Sequence, residues 1–325
     1  MPEITYQHPS AIVCGDWLEA NLNDPDLRVF DCTFHLVYED GTDRPYHQVS
    51  GRGDYEAGHI PGAGFLDLQA DFSVADAPHL FTLPSPEQLA GAFERSGVGN
   101  GTRVVLYSRN SMQCATRFWW MLRWLGFDSA AILDGGLDKW IRDGRPLSED
   151  KCTYTPHQLT INLRPKLFVG IDAVRSAIGS NRIINALEPD LHSGETLRYA
   201  RAGRIPGSVN VPATALLDAK SKEFVAPEVA AEAFKAAGIE PGETTIHYCG
   251  GGIKATLTAF ILHQLGHPDI AVYDGSMSEW ASEATLPMER DENDHRVVLL
   301  HVHLGLLRSA GVIPYMVLTW LAHYR

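Results

Sequence analysis

Thr245-Ile246-His247-Tyr248-Cys249-Gly250-Gly251-Gly252-Ile253-Lys254-Ala255-Thr256 runs from an apolar, strand-like segment through three glycines into a helix-like stretch that continues to Leu265. Three glycines let the backbone curl so that successive NH groups point inward. Those NH groups, the start of the helix and the Lys254 ammonium all favour negative charge on Cys249 over neutral sulfur. The expected species is a reactive thiolate in an anion cradle made by Gly250, Gly251, Gly252, Ile253 and Lys254. Most free cysteines are instead small buried hydrophobes, and the order strand, glycine loop, helix is what argues against that reading here. A nucleotide-phosphate loop is excluded, because neither Gly-x-Gly-x-x-Gly nor Gly-x-x-x-x-Gly-Lys-Ser/Thr occurs at this turn. A cysteine phosphatase would carry an arginine where this chain has Ala255.

The loop belongs to the second copy of an internal repeat. Ala57-Gly58-His59-Ile60-Pro61-Gly62-Ala63 returns as Ala202-Gly203-Arg204-Ile205-Pro206-Gly207-Ser208. Further along, Leu125-Gly126, Asp134-Gly135-Gly136 and Trp140 return as Leu265-Gly266, Asp274-Gly275-Ser276 and Trp280. In the first copy, Tyr107-Ser108-Arg109-Asn110-Ser111-Met112-Gln113-Cys114-Ala115-Thr116 stands where the Cys249 loop stands in the second. It is one residue longer and has serine in place of cysteine.

On these landmarks, from Val29 to Met288, the chain resembles the tandem-domain rhodanese family of sulfurtransferases. The resemblance implies an inactive N-terminal domain and a catalytic C-terminal one, which the Ser108/Cys249 difference fits. The short loop from Cys249 to Lys254 also looks like a sulfurtransferase loop rather than the longer loop of the related phosphatases. The implied fold is α/β: two tandem rhodanese-like domains, each a mainly parallel sheet flanked by helices, with an apolar C-terminal extension. The expected divisions are residues 1–147, a linker at 148–165, the catalytic domain at 166–290 and the extension at 291–325.

The pattern of the chain agrees with that class. Strand-like runs at Arg28–Asp31, Val104–Tyr107 and Ala130–Leu133, then at Ile183–Asn185, Thr245–Tyr248 and Ile270–Tyr273, alternate with helix-like stretches. The polar segment Arg145–Asp150 reads as the start of the linker. A chain of 325 residues, 45% hydrophobic and 21% charged, can bury two ordinary cores. A net charge of −13 argues against nucleic acid. Cysteines 14, 32, 114, 152 and 249 form no Cys-x-x-Cys pair and no metal spacing, so no metal site is expected. A scattered set of this kind, with no signal peptide apparent at the N-terminus, points to a reduced, cytoplasmic setting. Cys152 reads as a passive surface thiol and Cys114 as structural.

The chemistry follows from the thiolate. Cys249 attacks the outer sulfur of a sulfane donor, becomes a persulfide, and passes that sulfur to a thiophilic acceptor such as cyanide or a thiol. No cofactor is required. Thiosulfate is the expected donor and 3-mercaptopyruvate the alternative. Family members using thiosulfate carry basic residues after the cysteine, where this chain has Gly250 and Gly251. Those using 3-mercaptopyruvate carry serine at the Gly251 position and two arginines upstream, where this chain has Leu187 and His192. Substrate contacts are therefore sought among His192, Arg198, Arg201, Arg204 and His59. Arg204 also reads as a structural ion-pair partner, and His59 as a satisfied structural histidine. Asp274, matched by Asp134, is a turn former or helix cap and otherwise a supporting residue behind the loop. Trp140 and Trp280 read as core, and Phe118, Trp119, Trp120 and Trp124 as a helix packed between domains. A reading from another class is a binding or regulatory module that keeps the cysteine without turnover. The apolar tail, residues 297–322, is interrupted by His301, His303, Arg308 and Pro314, so no membrane span is expected; docking, self-association or surface attachment are the remaining roles.

Overall fold

The computed structural model describes residues 4–38 and 45–291. The tail therefore lies outside the described residues. Twelve strands are described: β1 (Ile12–Val13), β2 (Leu27–Asp31), β3 (Phe34–Val37), β4 (His47–Ser50), β5 (Gly64–Phe65), β6 (Arg103–Tyr107), β7 (Ala130–Leu133), β8 (Phe168–Val169), β9 (Arg182–Asn185), β10 (Val209–Asn210), β11 (Thr245–Tyr248) and β12 (Ile270–Tyr273). All six expected strands are present. The edge strands of only two residues, β1, β5, β8 and β10, are too short to leave an apolar run in the sequence.

Ten strands form two five-stranded sheets, ordered β1-β7-β6-β2-β5 and β10-β9-β11-β12-β8. Every pairing within them is parallel. Read from the β8 edge, the second order reproduces the first, strand for strand. The repeat in the sequence is thus a repeat of topology, with β6 and β11 as the matched central strands. An antiparallel hairpin, β3–β4, occurs in the first half.

Each central strand feeds a helix, Gln113–Trp124 after β6 and Lys254–Gln264 after β11. Every residue of the second helix after Lys254 is buried, which explains why it is apolar on all sides. Much of its cover is the Gln113–Trp124 helix: Trp119 meets Phe260 edge-on at 4.8 Å. The aromatic cluster does pack between the two halves, and Trp120 Nε1 donates across to the Leu167 carbonyl at 2.9 Å.

The segment between the sheets is pinned rather than loose. Tyr154 Oη donates to the Gly62 carbonyl at 2.6 Å, Leu159 N donates to Glu94 Oε1 at 2.8 Å, and Asn162 N donates to the Leu125 carbonyl at 2.8 Å. Both repeated Gly-x-Ile-Pro-Gly segments close onto chain that follows their own sheet: His59 bridges Ser148, and Arg204 bridges Glu289. Trp140 and Trp280 are buried, donating to the Pro146 and Pro287 carbonyls.

Candidate active site

β11 ends at Tyr248 and the next residue, Cys249, is 2% exposed at the base of a cavity between the halves. Gly252 has φ +73, and an added Cβ would sit 2.7 Å from the Asp274 carbonyl oxygen, so the turn demands glycine here.

A serine hydroxyl staples the loop. Ser276 Oγ accepts from the Cys249 and Gly252 amides, each at 3.1 Å, and donates to the Tyr273 carbonyl at 2.8 Å. Ser276 adopts φ +48, a region glycine favours and serine rarely enters. Its counterpart Gly136 has φ +56 and no hydroxyl to offer. The difference was visible in the sequence as Asp-Gly-Gly against Asp-Gly-Ser, although sequence reasoning assigned it no role. It also corrects the picture of a cradle in which all five amides face an anion, because that of Gly252 is held by Ser276, as is the amide of Cys249 itself. Those of Gly250, Gly251, Ile253 and Lys254 have no acceptor among the described residues.

Lys254, the cation of the loop, is itself paired. Its Nζ lies 2.9 Å from Glu188 Oε1, whose other oxygen accepts from Thr214 Oγ1 at 3.1 Å. The positive charge beside the cysteine is therefore largely compensated at its source.

Behind the loop, Arg117 is fully buried. Its guanidinium donates to Asp274 Oδ1 at 2.6 Å, to the Gly252 carbonyl at 3.2 Å and to the Phe81 carbonyl at 2.9 Å. Asp274 Oδ2 accepts from Leu83 N at 2.8 Å. Asp274 is thus an anchor between the halves in addition to its place in a turn. Arg117 was missed because, inside an aromatic helix, nothing in the sequence marks an arginine as buried.

The remaining basic candidates fall elsewhere. Arg201 donates to the carbonyls of Trp280, Ala281, Glu283 and Leu286, which ties down the end of the last helix rather than reaching the cavity. Arg204 pairs with Glu289 at 2.5 Å and donates to the His192 carbonyl, the structural role that burying an arginine requires. His59 does not face a cleft: it is buried, stacked on Tyr55 at 3.9 Å, with Nδ1 by the Tyr55 carbonyl and Nε2 by the Asp150 carbonyl. His192 lies on the short Pro189–Ser193 helix outside the cavity lining. Arg198 alone approaches, its guanidinium 4.2 Å from the ring centroid of Tyr38, a wall of the cavity.

That wall is mostly aromatic and aliphatic. Leu36, Tyr38, Tyr46, Phe81 and Gln113 from the first half meet Leu187, Tyr199 and the Cys249 loop around a cavity of about 20 Å³. The tyrosines press close. A Cβ on Gly250 would stand 2.1 Å from Tyr199 Oη, and one on Gly251 would stand 2.7 Å from Tyr46 Oη. Tyr46 comes from the opposite half and Tyr199 from a distant part of the same half, so neither contact leaves a local signal in the sequence.

The other thiols are poorly placed for chemistry. Burial pushes Cys114 up to about 12 and Cys32 well above its ordinary value, and it raises Cys152 as well. Ser108, the counterpart of Cys249, is buried with its hydroxyl donated to the Ser111 carbonyl at 2.5 Å. Among the described residues no cluster of His, Cys, Asp or Glu could hold a metal ion, and no helix is long and apolar enough to cross a membrane.

Residues 15–143 and 179–283 match the family model described as a rhodanese-like domain, and the Cys249 loop falls in the second match. The chain is 31% identical over 283 residues to the 3-mercaptopyruvate sulfurtransferase of Escherichia coli K12, covering 85% of this chain and 97% of that one. It is 30% identical over 290 residues to the human 3-mercaptopyruvate sulfurtransferase, covering 84% and 93%. A solved structure of the Escherichia coli 3-mercaptopyruvate sulfotransferase superposes with a TM-score of 0.70 at 30% identity, covering 83% of this chain and 99% of that one.

Proposed function

The chain belongs to the rhodanese family, and from that premise we propose that it is a sulfurtransferase working through a persulfide on Cys249. The single observation that carries the assignment is the thiol at the end of β11, beside four loop amides with no acceptor among the described residues. Cys249 attacks the transferable sulfur of the donor, a new S–S bond forms, and the electron pair of the broken bond leaves with the donor's remainder. An acceptor thiol or cyanide then takes the outer sulfur, so turnover is a double displacement. Each half-reaction places negative charge beside the loop, and each well-aimed amide donor lowers the barrier by about 2 to 4 kcal/mol.

For the donor we favour a small organic mercapto acid of the 3-mercaptopyruvate class over the thiosulfate expected from the sequence. Lys254 is paired with Glu188, which leaves little net positive charge beside the sulfur for a compact inorganic dianion. The names of the Escherichia coli and human relatives support the same choice. In this reading the half of the chain before the linker is non-catalytic and completes the cavity wall, while the half after it carries the nucleophile. A reducing, cytoplasmic setting suits five free cysteines.

Intact-mass measurement after exposure to 3-mercaptopyruvate or thiosulfate tests this, with cyanide and a dithiol as acceptors. Wild type gains one sulfur and loses it to the acceptor, and Cys249→Ser does neither. A Cys249→Ser protein that accepts sulfur at a comparable rate sinks the assignment. A wild type that forms no persulfide with any donor leaves the binding-module reading in its place.

A further inference from the structure

Tyr199 lines two spaces at once, the Cys249 cavity and an outer cleft bounded by Pro45, Pro78, His79 and Ser278. It therefore stands where a substrate passes from solvent to sulfur. Its hydroxyl reaches so far over the loop that only glycine fits beneath it, a Cβ on Gly250 lying 2.1 Å from Oη. The neighbouring Tyr46 hydroxyl has a partner, Ser278 Oγ at 3.3 Å, whereas the Tyr199 hydroxyl has none among the described residues. The Tyr199 hydroxyl is therefore free to donate to an acceptor that a ligand supplies.

We propose that the Tyr199 hydroxyl is the hydrogen-bond donor that binds the oxygen of the departing group while sulfur moves to Cys249. The inference rests on the Cys249 reading above and names the chemical class the site takes: a donor whose remainder leaves as an oxyanion. With a mercapto keto acid, the Cys249 thiolate bonds to the donor sulfur, the C–S bond breaks, and its electron pair departs in an enolate. With thiosulfate the S–S bond breaks and the pair departs in sulfite. With the mercapto keto acid the donor's S–H proton stays on the outer sulfur and the negative charge passes to the enolate, whereas with thiosulfate the persulfide keeps a negative charge; in both cases the departing pair comes to rest on an oxygen-bearing group beside Oη. Leu187 and His192 stand where fixed arginines would otherwise neutralise that charge, and of the two only Leu187 lines the cavity. Burial, reinforced by the nearby Tyr46 and Cys249, holds the Tyr199 phenol well above its ordinary value, so it remains a donor wherever the thiolate exists.

Tyr199→Phe removes this donor and keeps the ring. It is expected to lower kcat/KM for persulfide formation roughly ten- to a hundredfold, mostly in kcat, because the bond strengthens as charge develops. Alkylation of Cys249 by iodoacetamide, whose leaving iodide bears no oxygen, is expected to keep its wild-type rate and pH profile, and the urea midpoint is expected to stay fixed. Tyr46→Phe, which removes a hydroxyl already paired, serves as the comparison and is expected to cost less. Wild-type kcat/KM in Tyr199→Phe overturns the proposal, as does a parallel fall in alkylation or an early urea midpoint, either of which makes the hydroxyl structural. Persulfide formation by Cys249→Ser is a separate outcome and sinks the underlying reading instead.

Discussion

Thr116 Oγ1 and Thr256 Oγ1 lie 2.9 Å apart although 140 residues separate them in the sequence. They are the same position of the repeat in its two copies, so an approximate two-fold axis passes between the two central helices. Two further contacts obey it. Asp134 Oδ1 accepts from Phe224 N at 2.8 Å, and Asp274 Oδ2 accepts from Leu83 N at 2.8 Å, each carboxylate reaching the matched loop of the other half. The symmetry breaks at the loop itself, where Arg117 joins Asp274 and Ser276 replaces Gly136.

Removing Arg117 tests how much the halves depend on this break. Arg117→Met fills similar volume but leaves Asp274 Oδ1 and the Gly252 and Phe81 carbonyls without that donor. The expected loss in urea unfolding is about 3 to 5 kcal/mol, the usual result of stranding one partner of a buried ion pair. The rate of persulfide formation is expected to fall with it, because Gly252 is a loop residue. A change below about 1 kcal/mol would mean that packing, not the ion pair, holds this junction.

What was legible in the sequence is what the chain writes locally. The six central strands are continuous apolar runs, the helix that starts at Lys254 follows three glycines, and the repeat announces itself through Gly-x-Ile-Pro-Gly and Asp-Gly turns. The Cys249 loop could be located for the same reason. Tyr46, Tyr199 and Arg117 could not, since each acts on a backbone more than 35 residues away, as the span from Arg117 to Phe81 illustrates. Of the basic residues, Arg204 takes the ion-pair role that its reading already allowed, whereas Arg201 shows how a guanidinium near an active-site motif can suggest an anion and yet spend its donors on carbonyls.

The three loop glycines are expected to fail in different ways when given a Cβ. Gly252→Ala meets backbone, with the Asp274 oxygen at 2.7 Å and φ at +73, so both stability and activity should fall. Gly251→Ala clashes with the tip of Tyr46, at 2.7 Å, which a side chain can relieve by turning, and touches the Phe81 ring at an ordinary 3.4 Å. Gly250→Ala strikes Tyr199 Oη at 2.1 Å with ring carbon close behind, so the ring must leave its place. The expected ranking of urea midpoints puts Gly252→Ala lowest, whereas Gly250→Ala should lose activity while keeping more of its stability. A Gly252→Ala protein as stable as wild type would contradict the described turn.

Glu188→Gln should change donor preference. The carboxylate holds Lys254 at 2.9 Å, with side-chain exposures of 35% and 22%, so the pair is partly screened. Neutralising Glu188 leaves the ammonium uncompensated near the sulfur, and a dianionic donor gains more than a singly charged or neutral reagent. The ratio of kcat/KM for thiosulfate to that for 3-mercaptopyruvate is expected to rise roughly three- to tenfold, a range set by the discounted worth of a partly exposed pair. An unchanged ratio would show that Lys254 has no influence on the donor.

Acid sensitivity should trace to two histidines that stay neutral in the fold. Burial, with a smaller push from His267, lowers His247 to about 3, between Thr258 Oγ1 at 2.8 Å and Thr245 Oγ1 at 3.2 Å. Burial, then Arg123 and His8, lowers His263 to about 3 as well, with His8 stacked on it at 4.0 Å. The unfolded chain takes up these protons as pH falls below about 6.5, while the folded chain resists until near 3. Stability is therefore present above 6.5 and is lost on acidification through this window. Asp134 works the other way: burial raises it to about 6, so the folded chain binds that proton first and gains stability as pH falls. Comparing variants separates the two effects. His247→Asn is expected to be less stable than wild type at pH 7.5, and the gap should shrink by about tenfold in the folding equilibrium for each pH unit below 6.5. Asp134→Asn should steepen the acid loss of the whole protein. Urea titrations at pH 7.5, 6.5, 5.5 and 4.5 check both, and a gap for His247→Asn that stays constant with pH would mean that His247 already carries its proton in the folded chain.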